Sequence, residues 1–172
     1  LGRPATPPED PGPFRFVAVQ PGTSVPVTYD PCRAIPYVVN DRIAPPGAEG
    51  LIEEAVAEVA RITGLRFVYE GSSYEPPVAS REPFQPDRYG DRWAPVLVAW
   101  TDPDEHPDLT GDVAGLGGSN HLMGPTLERE VFVSGNVLLD GQQLATILGE
   151  PEGSEQVRAI IIHELAHLVG LD

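Results

Sequence analysis

The chain has 172 residues, enough for one domain with a real core, and its 18 Gly and 20 Pro stay below the level of wholesale disorder. A formal net charge of -15 argues against nucleic acid or an anionic membrane surface as partner. All 11 basic residues are Arg, so a P-loop and lysine Schiff-base chemistry are excluded, and no apolar run reaches the roughly 18 residues that would span a membrane.

The start, LGRPATPPEDPGP (1–13), reads as a stiff, extended Pro-rich linker to an upstream export or pro-segment. FRFVAV and PVTYDPCRAIPYVVN are rich in Val, Tyr and Phe and read as strands interrupted by turns, with Pro26 and Pro36 confining parts of them to edges or bends. The clearest helix lies within PPGAEGLIEEAVAEVARITG. Leu51, Ile52, Ala55, Val56, Val59 and Ile62 form one apolar stripe, and Gly64 is placed to end it. LRFVYEG follows as a short strand, and a strand–helix–strand unit favours a parallel pair.

Residues 71–92 read as a long loop. APVLVAW (94–100) is apolar on both faces and is expected at the centre of a sheet. An acidic stretch, TDPDEHPDLTGD, precedes the Gly-rich VAGLGGSNH (113–121). REVFVSGNVLLDG reads as one or two strands and GQQLATILG as a short helix. SEQVRAIIIHELAHLVG closes the chain as a helix, with Ser154 as its expected N-cap.

The last helix carries the chemistry. His163 and His167 are four apart, which puts two imidazoles on one helix face, about 6 Å apart at Cβ. Two neutral imidazoles so placed can share one zinc ion at about 2.0–2.1 Å. Glu164, beside the first histidine, is positioned as general base: it would take a proton from zinc-activated water and deliver it to the leaving amine. Burying two histidines and a glutamate among Ile160, Ile161, Ile162, Leu165, Leu168 and Val169 would otherwise be costly.

Gly170 extends the pattern to H-E-x-x-H-x-x-G. With it the segment HELAHLVGLD resembles the metzincin metalloproteases, and within them the matrixin-like group, whose longer signature is H-E-x-x-H-x-x-G-x-x-H. In that family the glycine turns the chain so that a third ligand reaches the zinc. By spacing that ligand falls at position 173, one past Asp172, which is not assigned as a ligand. PDRYGDRWAPVLVAW and HELAHLVGLD are also similar to secreted bacterial matrixin-type peptidases, and the order of strands and helices over 14–172 follows the family's N-terminal subdomain.

The resemblance implies an α+β fold: a twisted, mixed five-stranded sheet with a backing helix and an active-site helix. The C-terminal subdomain, with its methionine-containing turn, is missing. It implies a linker at 1–13 and a catalytic domain at 14–172, zinc as cofactor, a peptide or protein substrate, and a secreted or cell-surface location. As a two-ligand fragment the chain is expected to bind zinc weakly and to have little or no activity. It is expected to be a monomer, bound to no nucleic acid and not inserted in a membrane. The family's fourth strand lies antiparallel at the sheet edge and holds substrate by strand addition. That role falls on the glycine-rich stretch at Gly115, Leu116, Gly117 and Gly118, where a peptide backbone could approach closely.

The acidic residues Asp102, Asp104, Glu105, Asp108 and Asp112 could bind calcium, although Pro107 at the glycine position does not fit an EF-hand loop, and a solvated acidic face is the plainer reading. His106 and His121 read as surface histidines and Cys32 as a small buried hydrophobe. No G-x-S-x-G elbow supports serine hydrolase chemistry. Two readings compete with the zinc peptidase. A non-catalytic binding module on the same fold would have no need of Glu164, and a thermolysin-like enzyme with a Glu ligand on a later helix is disfavoured by the turn at Gly170.

Overall fold

The computed structural model describes residues 2–10, 12–78, 80–123 and 129–172. Among them the chain forms an α+β fold. One sheet takes strands β1 (Thr28–Tyr29), β2 (Ile35–Asn40), β3 (Phe67–Ser72), β4 (Val96–Thr101), β5 (Gly115–Met123) and β6 (Glu130–Asp140). The helices are α1 (Leu51–Thr63), α2 (Pro86–Tyr89), α3 (Gly141–Leu148) and α4 (Gly153–Leu168).

The strand order is β3-β2-β4-β6-β5, parallel throughout except for β5, which lies antiparallel on β6 at one edge. β1 pairs with β6 at Val131 and Phe132, whereas β4 pairs from Asn136 onward. Both therefore sit end to end on the side of β6 away from β5. The sheet is thus mixed, as expected, with the two-residue β1 added to the five expected strands.

The reasons are local. β4 is buried along its whole length, as an apolar run between two parallel neighbours must be. Pro36 lies in β2 opposite Val68 of β3, while β4 joins only from Tyr37, so the missing N–H falls where β2 has one neighbour. α1 buries Leu51, Ile52, Ala55, Val56 and Val59, and Gly64 ends it in the left-handed region, its N–H donating to Ala60 O. Ile62, expected in that stripe, stays 44% exposed because it falls in the last turn, at the margin of the core.

Other expectations need correction. Residues 14–19 form no strand; only Phe16 and Val19 make isolated bridges, to Leu171 and Pro26, because the neighbours available there are short turns. The glycine-rich stretch 113–121, by contrast, is the antiparallel edge strand it was expected to be, β5 beginning at Gly115. Ser154 does not cap α4. The helix starts earlier, at Gly153, after Glu152 in the left-handed region, and a Cβ at 153 would overlap the end of α3 at Ile147 O, so the position takes glycine. Cys32 is exposed: its N–H donates to the Asp30 carboxylate in a turn that leaves the thiol outside. The first residues of the Pro-rich start touch the domain, with Ala5 N–H donating to Ile62 O.

α1 and α4 cover one face of the sheet over a core containing Trp100, Val137, Leu139, Ile161, Leu165 and Leu168. On the other face Val38, Leu97, Ala99 and Leu138 pack with Leu116. There the loop after β3 is pinned by a buried ion pair, with the Arg81 and Glu75 side chains only 2% and 4% exposed.

Candidate metal centre

α4 turns Val157, Ile161, Leu165 and Leu168 into the core and leaves His163 on its exposed side. His163 Nε2 and His167 Nε2 converge to 3.0 Å. Two nitrogens bound at about 2.0–2.1 Å to one tetrahedral ion lie about 3.3 Å apart, so the pair is within a few tenths of an ångström of a metal-sharing separation. A carbonyl can only accept, so His167 Nδ1–H must be the donor to Leu171 O at 2.7 Å. That bond selects the tautomer whose free lone pair is on Nε2, the nitrogen turned to His163. The donor set and its outer hydrogen bond therefore fit zinc.

The C-terminal turn of α4 supplies that carbonyl. Gly170 N–H donates to His167 O and Leu171 N–H to Ala166 O, the paired bonds of a Schellman turn. Gly170 has φ 107°, a region closed to most side chains, and its Cα faces the Phe132 ring and Val27 O. The turn ascribed to Gly170 is where it was expected. Ser119 Oγ donates to Leu168 O at 2.7 Å and lies 2.6 Å from Tyr29 Oη, so the buried helix end keeps its partners. Burial holds the Tyr29 phenol well above its ordinary range, and it donates to Ser134 O.

Glu164 is buried, at 6% exposure. Burial pushes its carboxyl above the usual carboxylate range, while His163, His167 and the Gly117 N–H pull it back. The partner of Glu164 is the edge strand. A Cβ at Gly115 would lie 2.7 Å from Glu164 Cγ, and one at Gly117 would overlap the Glu164 backbone. Gly115 and Gly117 are therefore small because α4 lies on them, a different reason from the substrate approach expected there. Leu116 turns to the opposite face, and Gly118 opens onto free space. The alternation Gly115, Gly117, Ser119 was the available signal, since residues two apart share a strand face.

The backbone of β5 has a second property. Asp140 N–H donates to Ala114 O, so even-numbered residues over 114–120 turn their backbone groups to β6 and odd-numbered ones turn theirs outward. No described strand pairs with that outer edge. Glu164 thus stands at that rim, where it takes the Gly117 N–H and where peptide groups of Gly115 and Ser119 also face out.

Gly117→Ala is expected to push α4 off β5 and to destabilise the chain by about 1–3 kcal/mol or more, read as a drop in melting temperature. Gly118→Ala, with nothing to meet, is expected to leave the melting temperature near that of the parent.

Other candidates are placed as follows. Among the described residues no group of three or more His, Cys, Asp or Glu is arranged to hold a metal, so neither Asp172 nor the acidic loop completes such a set. In that loop Glu105 pairs with Arg42 and accepts from Thr101 Oγ1, and Asp102 Oδ1 accepts from the Asp104 and Glu105 N–H groups. His106 is no surface histidine. The loop folds over it, leaving it 3% exposed with Nδ1 unpartnered. His121 is exposed, with Nε2 3.5 Å from the Glu130 carboxylate. A cavity of about 860 Å³ lies beside β1 and the first residues of β6, and no residue of α4 lines it.

No protein-family model, curated protein or solved structure matches this chain.

Proposed function

We propose that this chain carries the metal-binding helix and sheet of a zinc-dependent endopeptidase of metzincin, matrixin-like type. The observation that carries the reading is the 3.0 Å approach of His163 Nε2 and His167 Nε2, with Glu164 held beside them at an unpaired strand edge. The antiparallel edge strand next to the histidine helix agrees with the strand order that the resemblance implies. The third ligand it implies falls at position 173.

His163 and His167 would hold the ion. What zinc supplies when bound is Lewis acidity, which makes water more acidic and polarises a carbonyl. The rest belongs to the chain. The outer edge of β5 would align an extended peptide by adding it as a strand, through the outward peptide groups of Gly115 and Ser119 and the Gly117 C=O, the Gly117 N–H being held by Glu164. The Glu164 carboxylate would accept a proton from the attacking water and release it to the amine that leaves. The substrate class is therefore peptide or protein.

Zinc titration with a competing chelator dye tests the reading. The wild-type chain is expected to bind one zinc. His163→Ala and His167→Ala are each expected to weaken binding by more than the roughly 10–100-fold that loss of an outer hydrogen-bond partner costs. A wild-type chain that takes up no zinc, or histidine variants that bind as well as wild type, would overturn it. In the full encoded protein, casein cleavage that a chelator stops and zinc restores is the matching activity.

A further inference from the structure

The histidine helix is finished by residues from the other end of the chain. Val17 N–H donates to Gly170 O at 3.0 Å, and Asp172 N–H donates to Arg15 O at 3.0 Å, with Phe16 bridged to Leu171. These bonds grip the two peptide units on either side of Leu171. Asp172 N–H and Leu171 C=O belong to the same rigid, planar peptide unit. One end of that plane is therefore held by Arg15 O, and the other receives His167 Nδ1–H at 2.7 Å. The preceding plane is held the same way: its carbonyl, on Gly170, takes the Val17 N–H, and its Leu171 N–H returns to Ala166 O.

The gripping segment is itself anchored. Gln20, buried at 8% exposure, donates from Nε2 to Glu130 O at 2.8 Å and accepts the Glu130 N–H at 2.9 Å. Val27 N–H donates to Ala18 O, and Val27 O lies against Gly170. A path thus runs by hydrogen bonds from the start of β6 to Gln20, along the backbone to Arg15–Val17, and by hydrogen bonds again to the peptide units beside the carbonyl that orients His167.

We infer that Arg15, Phe16 and Val17 form a clip that sets the ring orientation and tautomer of His167, so the metal site is completed by the N-terminal segment. The inference rests on the zinc reading for its consequence, but its geometry does not need the ion. Arg15 and Val17 act through backbone atoms and are positioning residues, since neither touches the metal-binding nitrogens.

The test uses Val17→Pro in the full chain, which removes the donor to Gly170 O, and Gln20→Ala, which frees the anchor. Two quantities are read: zinc affinity by competition with a chelator dye, and the His167 tautomer by ¹⁵N NMR of the ring nitrogens in zinc-free protein. Wild type is expected to show the Nδ1–H form. Both variants are expected to move towards the Nε2–H form and to lose about 10–100-fold in zinc affinity, with circular dichroism unchanged. If wild type binds zinc and both variants keep its affinity and tautomer, the clip is refuted and the zinc reading stands. Should wild type bind no zinc, the zinc reading fails, and the tautomer shift alone decides the clip. Should Val17→Pro not fold, Gln20→Ala decides the matter through the same two measurements.

Discussion

Glu164→Gln is expected to lower peptide hydrolysis by the full encoded protein about 10²–10⁴-fold, the usual contribution of a positioned general base, while zinc stays bound. The amide is nearly the same size as the carboxylate, so the fit of α4 against Gly115 and Gly117 is kept. It can still accept from the Gly117 N–H through its oxygen, but it cannot take up a proton near neutral pH. His163 and His167 keep their approach, and His167 keeps its bond to Leu171 O. The split between retained zinc and lost turnover is the informative part. Hydrolysis equal in wild type and variant would remove Glu164 from the mechanism. Loss of zinc together with activity would make it a support for the histidines.

Arg81→Met is expected to cost about 3–5 kcal/mol of folding stability, measured by chemical denaturation at neutral pH. The Arg81 guanidinium spends its donors on five acceptors: both Glu75 oxygens, Ser134 Oγ, Gly135 O and Pro95 O. Glu75 also accepts from Gln85 Nε2 and Tyr89 Oη, and its own backbone O receives Asn40 Nδ2. Removing the arginine leaves a buried carboxylate without its counter-charge and strands three acceptors on β6 and at the start of β4. Methionine fills much of the volume, so the loss measures the charge more than a cavity.

The same pair sets a dependence on pH. Burial alone would raise the Glu75 carboxyl, but Arg81, Tyr89 and Gln85 together hold it below its ordinary value of 4.5. The folded state thus binds its proton less readily than the unfolded chain. The stability that Glu75 contributes is complete above 4.5 and is lost as pH falls through the lower folded value. In Arg81→Met the pull of the guanidinium is gone, so the folded carboxyl lies higher than in wild type and less stability is lost as the group protonates. The gap between wild type and variant is therefore expected to narrow on acidification. A gap that is constant from neutral pH to below 4.5 would show that the charge pair is not its source.

The parts of the fold that were legible in the sequence are those whose signal is short-ranged. The stripe of α1, the apolar run of β4 and the four-residue spacing of His163 and His167 are each contained within one element. What was not legible depends on partners far along the chain. FRFVAV is rich in Phe and Val like a strand, yet the neighbour of Phe16 is Leu171, and no local pattern announces it. Ser154 is a good capping residue, but α4 begins before it, at Gly153, a glycine packed closely on the end of α3. Gly115 and Gly117 were noticed for the right property, smallness, and given a ligand as the reason when a helix is closer. Arg81 and Glu75 stood in a Pro- and Ser-rich stretch where isolated charges normally stay in water, so a buried pair had no visible mark. Of the site itself, the two nitrogens and the base could be read from spacing. The carbonyl of Leu171 could not, because a backbone acceptor has no letter of its own.

The outward row of peptide groups along β5 has a cost that belongs to the molecule in a crowd. A strand border able to take up an extended peptide can equally take up the same border of a neighbouring copy, joining sheets end to end. Short of a lid, mutual repulsion is the remaining safeguard, and a net charge of -15 provides it at low ionic strength. Salt shortens that repulsion to about 8 Å at physiological strength, so the acidity of this chain opposes such pairing over a shorter range there than in dilute buffer.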